Sequence, residues 1–363
     1  MPRTSSRPGR ARTPPTTRRR RARSTVRAAA ARRQHDRARR ARGAGDARHD
    51  FAAARGHAAA AVALNPSNVE AYGVLADAAT QLGDTAAATA AVQRMLDLRP
   101  GVASFTRASY ELELHGRTDE ARAAMQRALD AATSRDELVF CHYYLGELAW
   151  GRGDLAEAEA QYNRGLAAVP GDPALLQGRA KTLAARGRTD EAVEGYRRLT
   201  ERVPLPQYLL EYGELLESAG RTEEAQAQYR LIAEQDRLYA AQGSRDDLAA
   251  AQVAADHGDP AEAVRLAEAE WGRRQAVFTA DALAWALYRA GRPADALPYA
   301  ERAAELGRRD ATADFHRGMI LAALDRPADA VAALDEALRT NPYFSPLHAP
   351  EAQRTLDALR GSR

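Results

Sequence analysis

The sequence predicts an all-α solenoid built from antiparallel helix pairs, and three observations predict it. A turn signature recurs eight times along the 363 residues, at intervals close to 34. Small residues stand at fixed offsets on both sides of every turn. The composition favours helix, since Ala, Leu, Glu, Arg and Gln dominate while the β-branched and aromatic residues that strands prefer are sparse.

The turns read QLGDTAAA at Gly83, LHGRTDEA at Gly116, GRGDLAEA at Gly153 and ARGRTDEA at Gly187. They continue as SAGRTEEA at Gly220, DHGDPAEA at Gly258, RAGRPADA at Gly291 and ALDRPADA at Asp325. Their spacings are 33, 37, 34, 33, 38, 33 and 34 residues, which is the length of one helix–turn–helix unit. Five residues after each turn stands Ala, from Ala88 to Ala330. Seven before it stands Ala, Ser or Gly, as at Ala76, Ser109, Gly146 and Gly318. Two helices approach closely only where both present small side chains, so these offsets mark the crossing of each hairpin. Nine residues after the turn a larger group often fills the gap to the next unit: Val92, Met125, Tyr162, Tyr196, Tyr229 and Leu334.

Prolines punctuate the units. Pro100, Pro170, Pro204 and Pro342 stand where a second helix must end, and Pro260, Pro293 and Pro327 take first helical positions that tolerate a missing N–H. Pro298 falls inside a second helix and is expected to bend it. The two longer spacings place extra residues near 131–136 and 238–245, read as longer loops. Residues 50–66 read as a second helix without its first. At the other end Pro350 to Leu359 reads as an amphipathic cap, preceded by NPYFSPLHAP (341–350) running extended. The organisation expected is therefore an Arg-rich disordered tail over 1–45, a solenoid over 46–342, and an extended segment with capping helix over 343–363.

The unit at 139–172 carries Leu145, Gly146, Gly153, Asp154, Ala158, Tyr162 and Pro170, and on these residues the chain resembles the tetratricopeptide repeat family. The resemblance covers roughly 50–342. It implies a right-handed superhelix whose concave groove takes peptides or protein elements. The units at Gly258 and Gly291 depart from the pattern, with Ala267 and Ala300 where a bulky residue is usual. The stretches NPYFSPLHAP and ADALAWALYRAGRPADALPYA resemble actinobacterial tetratricopeptide proteins, which fits the Ala- and Arg-rich, Lys-poor usage of a high-GC bacterium.

The formal net charge of +3 conceals two opposite halves. Residues 1–43 hold 16 Arg and one acid, Asp36, a net of +15. The remainder carries 36 basic and 48 acidic residues, a net of −12. The acidic body argues against a nucleic-acid surface on the solenoid. Three roles compete for the tail: a nucleic-acid or acidic-partner arm with the solenoid as assembly module, a transit peptide, or a mis-assigned start. No apolar stretch follows Arg18–Arg21 as an export signal would need, and the longest apolar run, Ala58–Leu64, is too short to span a bilayer. One cysteine, Cys141, excludes an internal disulfide framework, and a cytoplasmic setting is expected.

Catalytic motifs are absent. The one lysine, Lys181, sits in GRAKTLAARG and not in a phosphate loop, and the eight histidines show no metal-ligand spacing and read as scattered surface or interface groups. Cys141 has only His142 as a basic neighbour and reads as a quiet thiol. The expectation is a non-enzymatic scaffold without cofactor, metal or small-molecule substrate, binding an apolar or basic peptide or protein segment. In the family the first helix of each unit lines the groove, about three, six and ten residues before the turn. Those offsets nominate Tyr110, Tyr143, Glu147, Trp150, Lys181, Glu214, Glu217, Trp285, Tyr288 and Phe315. The groove so read is aromatic and acidic. A clamp for a peptide's C-terminal carboxylate would need lysines, and only Lys181 is available.

Overall fold

A computed structural model describes residues 50–241 and 246–361; the Arg-rich stretch expected to be disordered over 1–45 lies outside them. The described residues form helices joined by short turns, with no strand among them. Helix α1 (Phe51–Leu64) is the half-unit read from the sequence. Eight hairpins follow: α2/α3 (Val69–Gln81, Thr85–Leu98), α4/α5 (Val102–Leu114, Thr118–Asp130), α6/α7 (Arg135–Trp150, Leu155–Ala168) and α8/α9 (Pro173–Ala185, Thr189–Arg202). Then come α10/α11 (Pro206–Ser218, Thr222–Ala241), α12/α13 (Asp247–His257, Pro260–Trp271), α14/α15 (Val277–Arg289, Pro293–Ala304) and α16/α17 (Ala311–Ala323, Pro327–Thr340). Helix α18 (His348–Gly361) closes the series.

Seven of the eight turns end their first helix with the same pair of backbone hydrogen bonds. At Gly153 the backbone takes φ +69°, Gly153 N–H donates to Trp150 O, and Asp154 N–H donates to Ala149 O, which satisfies the last carbonyls of α6. Asp154 then caps α7 by accepting from Glu157 N–H. Asp325 holds the same left-handed conformation without being glycine, at φ 54°. Gly258 departs from the series, with φ −139°.

The fixed offsets are where the helices cross. Ser109 and Ala121 meet so closely that the Ser109 hydroxyl donates to the Ala121 carbonyl at 2.8 Å in the core. Tyr162 is wholly buried, held between Gly146 of its own hairpin and Gly178 of the next; a Cβ on either glycine would land inside the ring. Gly213 faces Tyr229 and Gly318 faces Leu334 in the same way. Burying a side chain of this size contributes roughly 2–3 kcal/mol, so repetition of the crossing supplies much of the core. Where Ala267 and Ala300 replace the bulky residue, Trp285, Phe315, Leu283 and Leu287 fill the core instead.

Three expectations about irregular segments change. Pro298 lies in α15, which runs without interruption from Pro293 to Ala304. The extra residues after Ala131 divide between a short loop and a first helix of 16 residues, and those near 238 extend α11 to 20 residues up to Ala241. The segment before α18 is a pair of turns rather than an extended strand, because Ser345 folds it back by accepting from Leu347 and His348 N–H.

Successive first helices touch one another, as α6 with α8 and α12 with α14, and no comparable contact joins second helices among the described residues. The first helices therefore crowd the inside of the curve. The curve is tight enough that the chain meets itself after about one superhelical turn. Arg274 donates to Gln81 (2.9 Å), Arg308 to Glu113 (3.2 Å) and Asn341 to the Trp150 carbonyl (2.9 Å), at separations of 193, 195 and 191 residues. At these seams the turn glycines are needed twice. Gly116 is left-handed at φ +69°, and a Cβ there would overlap the Gly307 carbonyl, whereas Gly220, at φ +74°, faces open space.

Both glycines should cost roughly 1–2 kcal/mol on replacement by Ala through backbone strain alone. Gly116→Ala should cost more, because it also breaks the seam. Urea unfolding followed by circular dichroism checks this: the midpoint of Gly116→Ala should fall below that of Gly220→Ala.

Candidate functional site: the inner face

The inner face is a ladder of tyrosine hydroxyls, carboxylates and cations supplied mainly by the first helices. The tyrosines nine residues after the turn pack by their rings and reach the inner face by their hydroxyls. Tyr162 donates to Glu147 at 2.6 Å, Tyr196 to Glu211 at 2.8 Å and Tyr229 to Glu217 at 2.8 Å. Lys181 donates to both oxygens of Glu147 (2.9 and 3.0 Å) and lies over the Trp150 ring, 4.8 Å from its centre. Gln177 donates to both oxygens of Glu211 (2.8 and 2.7 Å). Burial pushes the Glu211 carboxyl pKa up, against the opposing pull of the Lys181 charge and of the Gln177 and Tyr196 hydrogen bonds. Burial, then the Glu147 carboxylate, drives the Tyr162 phenol far above its ordinary range.

Of the residues nominated from the sequence, Tyr110 is exposed (37%), one turn from the Glu113–Arg308 pair. Tyr143 packs edge-on to Tyr144 at 5.3 Å. Glu147, Trp150 and Lys181 form one connected group. Glu214 and Glu217 flank His257, at 3.6 and 3.7 Å, and His257 stacks on Tyr229 at 3.9 Å. Tyr288 is partly buried and stacks on Trp285 at 5.0 Å. Trp285 and Phe315 depart from expectation: they are only 3% and 0% exposed and belong to the core cluster. Phe344 and His348 lie against the Phe315 ring, and Tyr288, His316 and His348 lie against the Trp285 ring.

Several inner-face groups were missed. His257, His316 and His348, read as scattered histidines, are enclosed and face carboxylates: His316 lies 3.0 Å from Asp281, and His348 lies 3.6 Å from Asp256. Glu211 stands nine residues before its turn and Asp256 two before, outside the three offsets used. The signal that could have found Glu211 was the buried tyrosine series, because each hydroxyl requires an acceptor. Cys141 is fully buried and its thiol pKa is pushed up to about 12 by that burial, which leaves no thiolate for chemistry. Among the described residues no cluster of His, Cys, Asp and Glu is placed to hold a metal ion, and no helix is long and apolar enough to cross a membrane.

Comparison with known proteins agrees with this geometry. A tetratricopeptide repeat family model matches residues 40–103, 106–173 and 282–343, more than half of the chain, and a second matches 149–211. The chain belongs to the tetratricopeptide repeat family. Proteins of this family commonly mediate protein–protein contacts and are generally non-enzymatic scaffolds. No curated protein matches the chain. Among solved structures, a tetratricopeptide repeat protein from Parabacteroides merdae is 18% identical, over 71% of this chain and 98% of that one, with TM-score 0.40. Yeast Tom70 is 14% identical over 86% of this chain and 59% of its own, with TM-score 0.41. YrrB, described as having an unusual peptide-binding site, is 18% identical over 49% of this chain and 91% of its own, with TM-score 0.35.

Because the folded-state pKa of Glu211 is raised, the native state holds its proton more tightly than the unfolded chain does. Stability from this group is greatest at low pH and declines as pH rises from the ordinary carboxyl range through the folded-state value. Glu211→Gln should therefore raise the unfolding midpoint at pH 8 and change it little at pH 4. Thermal melts at the two pH values read the difference.

Proposed function

We propose that this protein is a non-enzymatic scaffold that holds a peptide or protein segment on its inner face, with the contacts centred on Glu147, Trp150 and Lys181. The observation that carries the reading is the composition of that face. A partly exposed tyrosine, Tyr110, and the Trp150 ring stand beside carboxylates, and the one lysine of the face is already engaged by Glu147. Such a surface offers ring faces and acceptors, with few free cations. It suits a segment with apolar or basic side chains, since aromatic groups anchor well where water is excluded and acids complement cations. Tyr143, Glu214, Glu217 and Tyr288 extend the same surface along the superhelix. The pairing of Lys181 with Glu147 argues against a clamp for a C-terminal carboxylate. The single buried cysteine accords with a reducing setting such as the cytoplasm.

The full-length protein and its Trp150→Ala and Lys181→Met forms, used as bait in extract of the source cell, test the reading. A partner captured by the wild type should be lost from Trp150→Ala and held at least as tightly by Lys181→Met, which releases the Glu147 carboxylate, while helical circular dichroism stays unchanged. Undiminished capture by Trp150→Ala would move the binding surface off the inner face.

A further inference from the structure

The segment between the last hairpin and the capping helix does not pass over the outside of the array. It enters the inner face and lies there through Phe344, joined four residues later by His348, the first residue of α18. Phe344 packs on Phe315, ring centres 5.6 Å apart. His348 stacks on Phe315 at 5.0 Å, meets the edge of Trp285 at 5.7 Å, and brings Nε2 to 3.6 Å from Asp256. Asp256 belongs to α12, three first helices before α18, so His348 reaches well beyond the helix its own element caps. The receiving site is built independently of the segment. Trp285 Nε1 donates to Asp256 at 2.9 Å, and Trp285 stacks on His316, which Asp281 holds at 3.0 Å.

The segment is bound as a linear peptide is bound. After Asn341, whose N–H donates to the Ala337 carbonyl of α17, its backbone bonds are internal: Tyr343 N–H donates to Asn341 Oδ1, and Leu347 and His348 N–H donate to Ser345 Oγ. Two prolines, Pro342 and Pro346, limit the freedom lost on docking. Tyr343 points to solvent, 40% exposed. At the start of the segment the Asn341 side chain donates to the Trp150 carbonyl.

We propose that Asp256, Trp285, Phe315 and His316 form a binding subsite for a short segment presenting an aromatic ring and, four residues later, an imidazole, and that Phe344 and His348 are its resident, exchangeable occupants. An incoming segment of the same chemistry takes their place, which makes the chain's own 341–348 a competitor for the inner face. The inference rests on the reading of that face as the partner-binding surface, and places one subsite on it. The charged and titratable groups facing His348 are Asp256 of α12, Arg289 of α14 (3.4 Å from Asp256), His316 of α16, Glu351 of α18, and Glu214 of α10 across the inner face. Burial alone would lower the His348 pKa; the Asp256 hydrogen bond and charge, with Glu214 and Glu351, overcome it, and the net shift is upward. A raised imidazole pKa means docking is strongest with the proton on. It is fully present below the ordinary histidine range and is lost as pH rises through the folded-state value.

A fluorescent peptide of the chain's own residues 341–350, NPYFSPLHAP, is the probe. Titrated against full-length Phe344→Ala/His348→Ala protein it should bind, and at least tenfold more tightly than to the wild type, where the tethered copy holds the site at high effective concentration. Binding should weaken at least tenfold when Asp256→Asn is added to the double variant or when the peptide's Phe and His are replaced by Ala, and should be tighter at pH 6 than at pH 8. Equal binding to wild type and double variant, or equal binding of the Ala-substituted peptide, would overturn the proposal. Hydrogen exchange on the wild type supplies a readout that needs no variant. Amides of 343–348 should exchange at least tenfold faster than those of α16, and exchange only together with α16 would show a fixed structural cap. Loss of partner capture in Trp150→Ala stands independently of these outcomes, so the subsite can fail while the inner-face reading survives.

Discussion

A tyrosine ring held between two glycines is the contact on which the rest of this structure depends. Tyr162 fills the space between Gly146 and Gly178, on neighbouring first helices, and no larger residue at either position leaves room for it. That fit lets α6 and α8 approach closely, which bends the array and turns the first helices inward. The same ring then delivers its hydroxyl to Glu147, and Glu147 fixes Lys181 over Trp150. Core packing and inner-face chemistry are thus consequences of one side chain. Tyr196 and Tyr229 repeat the hydroxyl-to-carboxylate bond, with Glu211 and Glu217.

Tight curvature has a further effect. Because the chain meets itself after about 190 residues, the loops after α13, α15 and α17 sit against the turns of the first three complete hairpins. A solenoid whose units touch only their neighbours can flex along its length. Here Arg308–Glu113 and Arg274–Gln81 tie distant units and oppose that flexing. The inner face also becomes narrow, and side chains from three or four first helices converge on one point, as Asp256, Trp285, His316 and His348 do.

The hairpins were legible because their signals are local and repeated. A positive φ at the turn calls for glycine, a close crossing calls for Ala, Ser or Gly, and eight copies at one spacing leave little freedom. The half-unit α1 and the cap α18 followed from the same register. Segments where the register slips were harder to read: extra residues near 238 lengthened α11, because Leu238 and its neighbours are compatible with either loop or helix. The inner face was legible in character but not in detail. Its acidic and aromatic tone came from counting offsets, whereas Trp285 and Phe315 are covered by His316, Phe344 and His348, contacts that no offset within one repeat encodes. The meeting of His316 and His348 depends on curvature, which no single repeat encodes.

The central claim is that ring-against-glycine packing sets the crossing, and a double-mutant cycle between Gly146→Ala and Tyr162→Val tests it most directly. Mid-helix Gly→Ala ordinarily stabilises by about 0.5–1 kcal/mol. With the ring present, Gly146→Ala should destabilise the protein in urea unfolding; in the Tyr162→Val background it should stabilise it, a coupling of at least about 1 kcal/mol. An effect of the same sign and size in both backgrounds would contradict the account.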